Sequence, residues 1–124
     1  MIDFSNDIFV KMTPVNPKIF GNEVLPFLVS GEEIIGTYQA LRDGVVFTNK
    51  RIIAINAQGI SGKKKDMTSL PYRNIQVFSV ENAGSFDLDS ELELWFSGLG
   101  KVKFEFAGDV DITQICKLIS DHVL

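Results

Sequence analysis

The residues best suited to chemistry are acidic side chains that alternate with apolar ones in the last third of the chain. They are Asp87, Asp89, Glu91 and Glu93. Such carboxylates could bind calcium, but no glycine follows Glu91 and no glutamate closes the loop, so this is not an EF-hand. The period of two predicts a strand, on which carboxylates about 6–7 Å apart repel unless they are paired. The face is either a solvated surface balanced by the next strand, or a recognition surface that also includes Lys101 and Lys103.

Trp95 falls on the same polar face if the alternation is strict. A large aromatic ring on a charged face is typical of an interface anchor. The alternative is a bulge or a barrel curvature that turns Trp95 inward. The sequence leaves both interpretations open.

A run of three lysines provides the second candidate site. Lys63, Lys64 and Lys65 follow a glycine-rich turn that lacks the spacing of a phosphate-binding loop and opens no helix. Asp66 follows the run, which favours solvated loop charge. The alternative is an anion or lipid patch formed by Lys50, Arg51, Lys63, Lys64, Lys65 and Arg73.

Catalytic side chains are scarce. His122 is the one histidine and Cys116 the one cysteine, and their separation places them on different faces of a helix. Cys116 therefore fits a small core position better than a nucleophile. We predict no enzyme, no metal and no cofactor.

Composition limits the class of protein. The chain has 124 residues and a net charge of −4, which argues against nucleic acid as a partner. A lone cysteine excludes an internal disulfide and multi-cysteine zinc sites. With no signal-like start and no apolar run long enough for a bilayer, we expect a cytoplasmic protein of one domain, residues 1–124.

Two tight turns organise the elements that hold these residues. Asp43-Gly44 predicts a type I′ hairpin and Asn49-Lys50 a second turn, so Gly31 to Asn56 forms a three-stranded meander. Its third strand, from Arg51 to Asn56, looks buried on both faces. The predicted strands start at Ile34, Val45, Arg51, Lys64, Gln76, Asp87 and Lys101. Residues 1–30 form an N-terminal segment with a short helix interrupted at Pro26, and residues 31–106 form the barrel.

The end of the chain changes to a helical period. One apolar stripe runs along residues 109–124, and Asp111 is placed to cap the helix. The stripe consists of Ile112, Ile115, Cys116, Ile119 and Val123. A helix of this length could lie across the mouth of a small barrel.

Seven antiparallel strands followed by one amphipathic helix is the pleckstrin-homology (PH) layout, and the sequence resembles the bacterial PH-like domain family in particular. The matching stretches include Gly31-Glu32-Glu33, Phe47-Thr48-Asn49-Lys50-Arg51, Pro71-Tyr72, Phe78-Ser79-Val80-Glu81, Phe86-Asp87-Leu88-Asp89 and Trp95. The resemblance implies a mainly β fold, a partly open barrel of two bent sheets capped by the C-terminal helix. It also implies a homo-oligomeric ring, expected to be a pentamer, that has no enzymatic activity and binds other proteins.

The sequence departs from phosphoinositide-binding relatives at the first hairpin. Those relatives carry several basic residues around a long loop, whereas here the loop is Leu41-Arg42-Asp43-Gly44. We therefore favour a ring-forming interaction module that presents a hydrophilic surface, with the acidic stripe as that surface or as the seam between ring neighbours. The alternative is a peripheral membrane or phosphate binder that uses the basic patch.

Overall fold

The described part of the chain forms one curled sheet of eight strands, followed by a C-terminal helix. The computed structural model describes residues 1–5, 8–86 and 88–124. The strands are β1 Ile8–Pro14, β2 Ile34–Ala40, β3 Asp43–Thr48, β4 Arg51–Gln58, β5 Lys64–Pro71, β6 Ile75–Glu81, β7 Ser90–Phe96 and β8 Gly100–Phe106. Their order across the sheet is β5-β4-β3-β2-β1-β8-β7-β6. The PH-like fold predicted from the sequence is confirmed, with one strand more than expected.

The additional strand is β1, which lies in the segment that we assigned to no strand. It pairs antiparallel with β2, where Thr13 faces Gln39, and parallel with β8, where Phe9 faces Phe104. β1 therefore joins the two predicted sheets into one. Its pairing is irregular between Phe9 and Met12, and Lys11 between them has a positive φ of 52°. This interruption removes the period of two that reveals a strand in a sequence.

The first hairpin turns two residues earlier than predicted. Ala40 pairs with Asp43, so Leu41 and Arg42 are the central residues, and Leu41 has a positive φ of 54°. Gly44 lies inside β3 instead, where a Cβ atom would collide with the ring of Phe20. The Asp-Gly pair thus reflects close packing within a strand rather than a turn. The second turn lies at Asn49 and Lys50 as predicted, between β3 and β4.

Two apolar clusters lie on opposite faces of β3 and β4. The larger fills the inside of the curled sheet and contains Phe47, Leu92, Leu94, Phe104 and Phe106. The smaller contains Phe20, Val24, Val46, Ile53 and Ile55. It lies beneath the helical turns Pro17–Phe20, α1 (Gly21–Val24) and Leu25–Phe27, which we call the helical segment. β4 is therefore buried on both faces, as its sequence predicted.

The C-terminal helix, α2, covers Ile112–Val123. The side chain of Asp111 accepts a hydrogen bond from the Thr113 amide at 3.0 Å and so caps the first turn. Of the predicted stripe, Ile112, Ile115 and Ile119 are buried in the larger cluster and Val123 packs against it partly buried, whereas Cys116 is only half-buried. Among the helices of the described chain, none has the length and apolar content needed to cross a bilayer.

Candidate interaction surface

The acidic residues and lysines singled out above meet on the outer surface of β7 and β8. Leu92, Leu94 and Phe96 point into the core, so the residues between them point outward. We call this outer surface the charged face. It consists of Glu91, Glu93 and Trp95 on β7 and of Lys101 and Lys103 on β8.

Two ion pairs cross the charged face diagonally. Glu93 is opposite Lys103 in the strand register, yet its carboxylate lies 3.2 Å from the ammonium of Lys101. The ammonium of Lys103 lies 3.2 Å from Glu91. The hydrogen bond to Glu91, together with the negative charge around it, raises the pKa of Lys103. The lysines thus partly balance the acidic stripe, as one of the two interpretations expected.

Trp95 stays on the charged face. The pairing of β7 with β8 is regular from Ser90 to Phe96. The register shift between β6 and β7 falls on β6, between Ile75 and Val77, and the alternation of burial along β7 is intact, so the ring is not turned inward. The residue is 45% exposed, and the ammonium of Lys101 lies 5.6 Å from its ring centroid. Val77, opposite Trp95 on β6, is 57% exposed. An apolar pair therefore adjoins the ion pairs, an arrangement suited to a protein partner.

The strand that carries the acidic residues begins later than the predicted start at Asp87. Asp87 lies outside the described residues. Asp89 precedes β7, which begins at Ser90, so it belongs to the loop and not to the strand face. Of the three predicted carboxylates that the structure describes, Glu91 and Glu93 lie on the charged face and Asp89 does not.

The candidate basic patch is divided between the two ends of a hairpin. Arg51 faces Pro71 and Gln58 faces Lys64 in the β4–β5 register, so the ends are about 23 Å apart. Lys50, Arg51 and Arg73 lie near one end, and the lysine run lies at the other. Lys65 also pairs with Glu23 at 3.4 Å. The six residues do not form a common site.

Arg51 is instead the partner of a buried carboxylate that our sequence analysis did not single out. The side chain of Glu32 is 0% exposed and accepts hydrogen bonds from Arg51 Nε at 2.9 Å and Arg51 Nη2 at 3.0 Å. The hydroxyl of Thr48 at 2.7 Å and the amide of Val29 at 3.1 Å donate two more. Arg51 also donates to the carbonyl of Phe27 at 2.7 Å. The network ties the helical segment to the β3–β4 hairpin.

The electrostatics of Glu32 follow from these donors. Burial by itself raises the pKa, but the hydrogen bonds from Arg51, Thr48 and Val29 outweigh it and lower the pKa of Glu32 to about 2. Glu32 therefore remains a carboxylate whenever the protein is folded near neutral pH. It stabilises the fold and is not poised to exchange a proton.

His122 and Cys116, the one histidine and the one cysteine, have separate surroundings on α2. The ring of His122 packs against Tyr72 with centroids 4.8 Å apart, and its Nδ1 lies 2.8 Å from the carbonyl of Leu118. Cys116 is half-buried on α2 and is therefore not the core residue that the sequence predicted. Tyr72 itself is buried and donates to the carbonyl of Thr48 at 2.7 Å, and this burial raises its pKa.

Comparison with known proteins identifies the family. The family model described as Bacterial PH domain matches residues 3–123. The chain belongs to the bacterial PH-domain family. It is 45% identical over 100 residues to the uncharacterized protein YjqA of Bacillus subtilis, covering 79% of this chain and 80% of that protein. The family predicted from the sequence is therefore confirmed.

Solved structures agree with this bacterial PH domain in fold. A DUF1696 family protein with a pleckstrin-homology domain from Shewanella loihica PV-4 is 39% identical with a TM-score of 0.80, covering 93% of this chain and 99% of that one. A pleckstrin homology domain from Shewanella amazonensis SB2B is 40% identical with a TM-score of 0.66, covering 89% and 90%. The likeness extends over nearly the whole of each domain.

Proposed function

We propose that this bacterial PH domain is a non-catalytic interaction module that assembles into a cyclic homo-oligomer and presents its charged face to a partner protein. The observation that carries the proposal is an apolar surface formed by the helical segment and by Val29, two residues beyond its end. Ile19, Leu25, Phe27 and Val29 each expose half or more of their surface. Exposed apolar side chains concentrated in this way mark an interface.

A second feature of the same region suits contact with another copy. Leu25 lines a cleft of about 320 Å³ together with Pro17, Gly21 and Ile34. A contact between two different patches of one chain repeats around an axis and closes into a ring when the rotation allows it. Five copies are expected from the family resemblance, and the cytoplasmic location is part of the same proposal.

The charged face supports the second half of the proposal. It combines an exposed tryptophan with charges of both signs, and its ion pairs are on the surface, where such pairs add little stability. A role in recognition explains a tryptophan at this position better than a role in folding does, because Trp95 is 45% exposed and its ring contributes little to the core.

Light scattering coupled to size exclusion tests the assembly. The wild-type protein at micromolar concentration is expected to elute at about five times the 13.8 kDa protomer mass. Replacing Leu25 and Phe27 together by Asp is expected to give the protomer. Ile60→Asp is the matched control, because Ile60 is fully exposed in the β4–β5 turn. A wild-type monomer, or a double variant that assembles normally, contradicts the proposal.

A further inference from the structure

The strand β6 is one end of the sheet, and its second side has no neighbouring strand within the described chain. It covers Ile75–Glu81, seven residues, and so presents an edge of about 20 Å. Long edges of this kind pair readily with other extended segments, and proteins that do not use them protect them.

The two ends of the sheet differ in this protection. β5, at the opposite end, carries Lys64, Lys65 and Pro71. The amide of Ile2 also donates a hydrogen bond to the hydroxyl of Thr68 on β5 at 2.8 Å. Lysine, proline and a covering segment are the usual devices that prevent pairing at an edge. β6 contains neither lysine nor proline, and its one charge is the last residue, Glu81. Its pairing with β7 is irregular between Ile75 and Val77 and regular from Val77 onward, so the unprotected part of the edge is residues 77–81. The contrast indicates that the β6 edge is kept open.

The core is also incomplete at β6. Phe78 and Val80 point toward the larger cluster but are only partly buried. Their neighbours across the strand pair, Leu94 and Leu92, are fully buried. A further strand beside β6 would cover Phe78 and Val80 on the side that is open.

The charge beside this edge indicates what such a strand would contain. Glu81 is directly opposite Glu91, which is opposite Glu105 on β8. Side chains facing each other in this way lie about 5 Å apart, and like charges there are unfavourable. Lys103 is paired with Glu91, and the negative charge of Glu81 also acts on it from further away. One lysine therefore lies beside several carboxylates, and no salt bridge to Glu81 or Glu105 is found among the described residues. At the other end of the edge, Val77 and Trp95 are exposed.

We infer that β6 binds an extended segment of a partner protein by strand addition, and that the segment is basic near Glu81 and apolar near Val77. Backbone hydrogen bonds to β6 would hold the segment, and the alternate side chains would select it. The side chains facing Phe78 and Val80 would be apolar. The inference rests on the interaction role proposed above, for which it supplies the binding site and the partner chemistry.

Synthetic peptides test this directly on the full-length protein. Fluorescein-labelled Lys-Lys-Val-Thr-Val-Ile-Gly presents the expected pattern to an antiparallel edge, and its reversed sequence presents it to a parallel one. The matched peptides carry Glu in place of Lys. One orientation of the lysine peptide is expected to bind in fluorescence anisotropy, about tenfold or more tighter than its glutamate counterpart.

Two protein variants distinguish binding at the β6 edge from a general effect of the protein's net charge. Glu81→Lys is expected to weaken the binding of the lysine peptide about tenfold or more, because it places like charges together. Glu33→Lys makes the same change at an exposed residue elsewhere and is expected to leave binding unchanged. Hydrogen exchange measured by mass spectrometry is expected to slow in residues 75–81 when the peptide binds, and to stay unchanged in β5.

Several outcomes of these experiments would overturn the inference. No binding of either lysine peptide, equal binding by Glu81→Lys, or protection outside β6 overturns the inference. So does a wild-type ring that falls apart in Glu81→Lys without peptide, because the edge is then a contact between copies. The mass of each variant, measured in parallel, distinguishes these outcomes from failure of the assembly proposal. A monomer that binds the lysine peptide at β6 contradicts the proposed ring but supports strand addition.

Discussion

The buried ion pair of Glu32 and Arg51 provides the sharpest test of the fold. Replacing Glu32 by Gln keeps the shape of the side chain but removes its charge and turns one acceptor into a donor. Four hydrogen bonds now reach the carboxylate, two of them from Arg51. The variant leaves the guanidinium of Arg51, whose side chain is 20% exposed, without its anionic partner.

The size of the effect follows from the pKa of Glu32. A fall from 4.5 to about 2 on folding corresponds to about 3 kcal/mol of stability near neutral pH. Because the folded pKa is the lower one, this stability is present above pH 4.5 and is lost as the pH falls toward 2. About 2 kcal/mol of it is lost by pH 3.

Urea denaturation at a fixed protein concentration measures both quantities, and the fixed concentration holds any assembly term constant. Glu32→Gln is expected to lose about 3 kcal/mol at pH 7, and the difference from wild type is expected to shrink to about 1 kcal/mol at pH 3. Glu33→Gln is the control, since Glu33 is the exposed neighbour. A loss below about 1 kcal/mol at pH 7, or a difference that does not change with pH, refutes this account of the ion pair.

Three further outcomes are expected. Gly44→Ala should lower the free energy of unfolding by about 1–3 kcal/mol, because the added Cβ meets the Phe20 ring. Gly21→Ala, whose Cβ would have its nearest contact at 3.7 Å, should lower it less. Equal losses in thermal or urea unfolding contradict the packing argument. Tyr72→Phe should lose about 1–2 kcal/mol because the Thr48 carbonyl loses its buried donor at 2.7 Å, and unchanged urea unfolding contradicts this. Finally, the protein should not cosediment with vesicles rich in anionic lipid, since the residues of the candidate basic patch are divided between the two ends of the β4–β5 hairpin. Binding that disappears when Lys63, Lys64 and Lys65 are all changed to Ala would instead support the membrane alternative.

The sequence predicted those elements whose side chains repeat with one period. Apolar residues alternate along β7 and β8 and recur at the helical period along α2, because each of these elements packs one face on the larger cluster. β1 was missed because its pairing is interrupted near Lys11, and a period cannot be read across a break. The turn at Leu41 and Arg42 was displaced to Asp43-Gly44 because the glycine serves the packing of Phe20.

The candidate site was predictable only in part. Alternation placed Glu91, Glu93 and Trp95 on one face, and their register with Lys101 and Lys103 confirms that the charges adjoin. The ion pair of Glu32 could not be found in this way, since Arg51 is 19 residues further along the chain and no local spacing joins them. The openness of the β6 edge likewise depends on the strand order, which β1 determines.

The central claim is that identical copies meet through the apolar surface of the helical segment while the charged face remains free. The mass of the wild-type particle in solution, measured by light scattering across a concentration series, tests this most directly. We predict a single species of about five protomers of 13.8 kDa that persists to low micromolar concentration. A protomer mass at every concentration would contradict it.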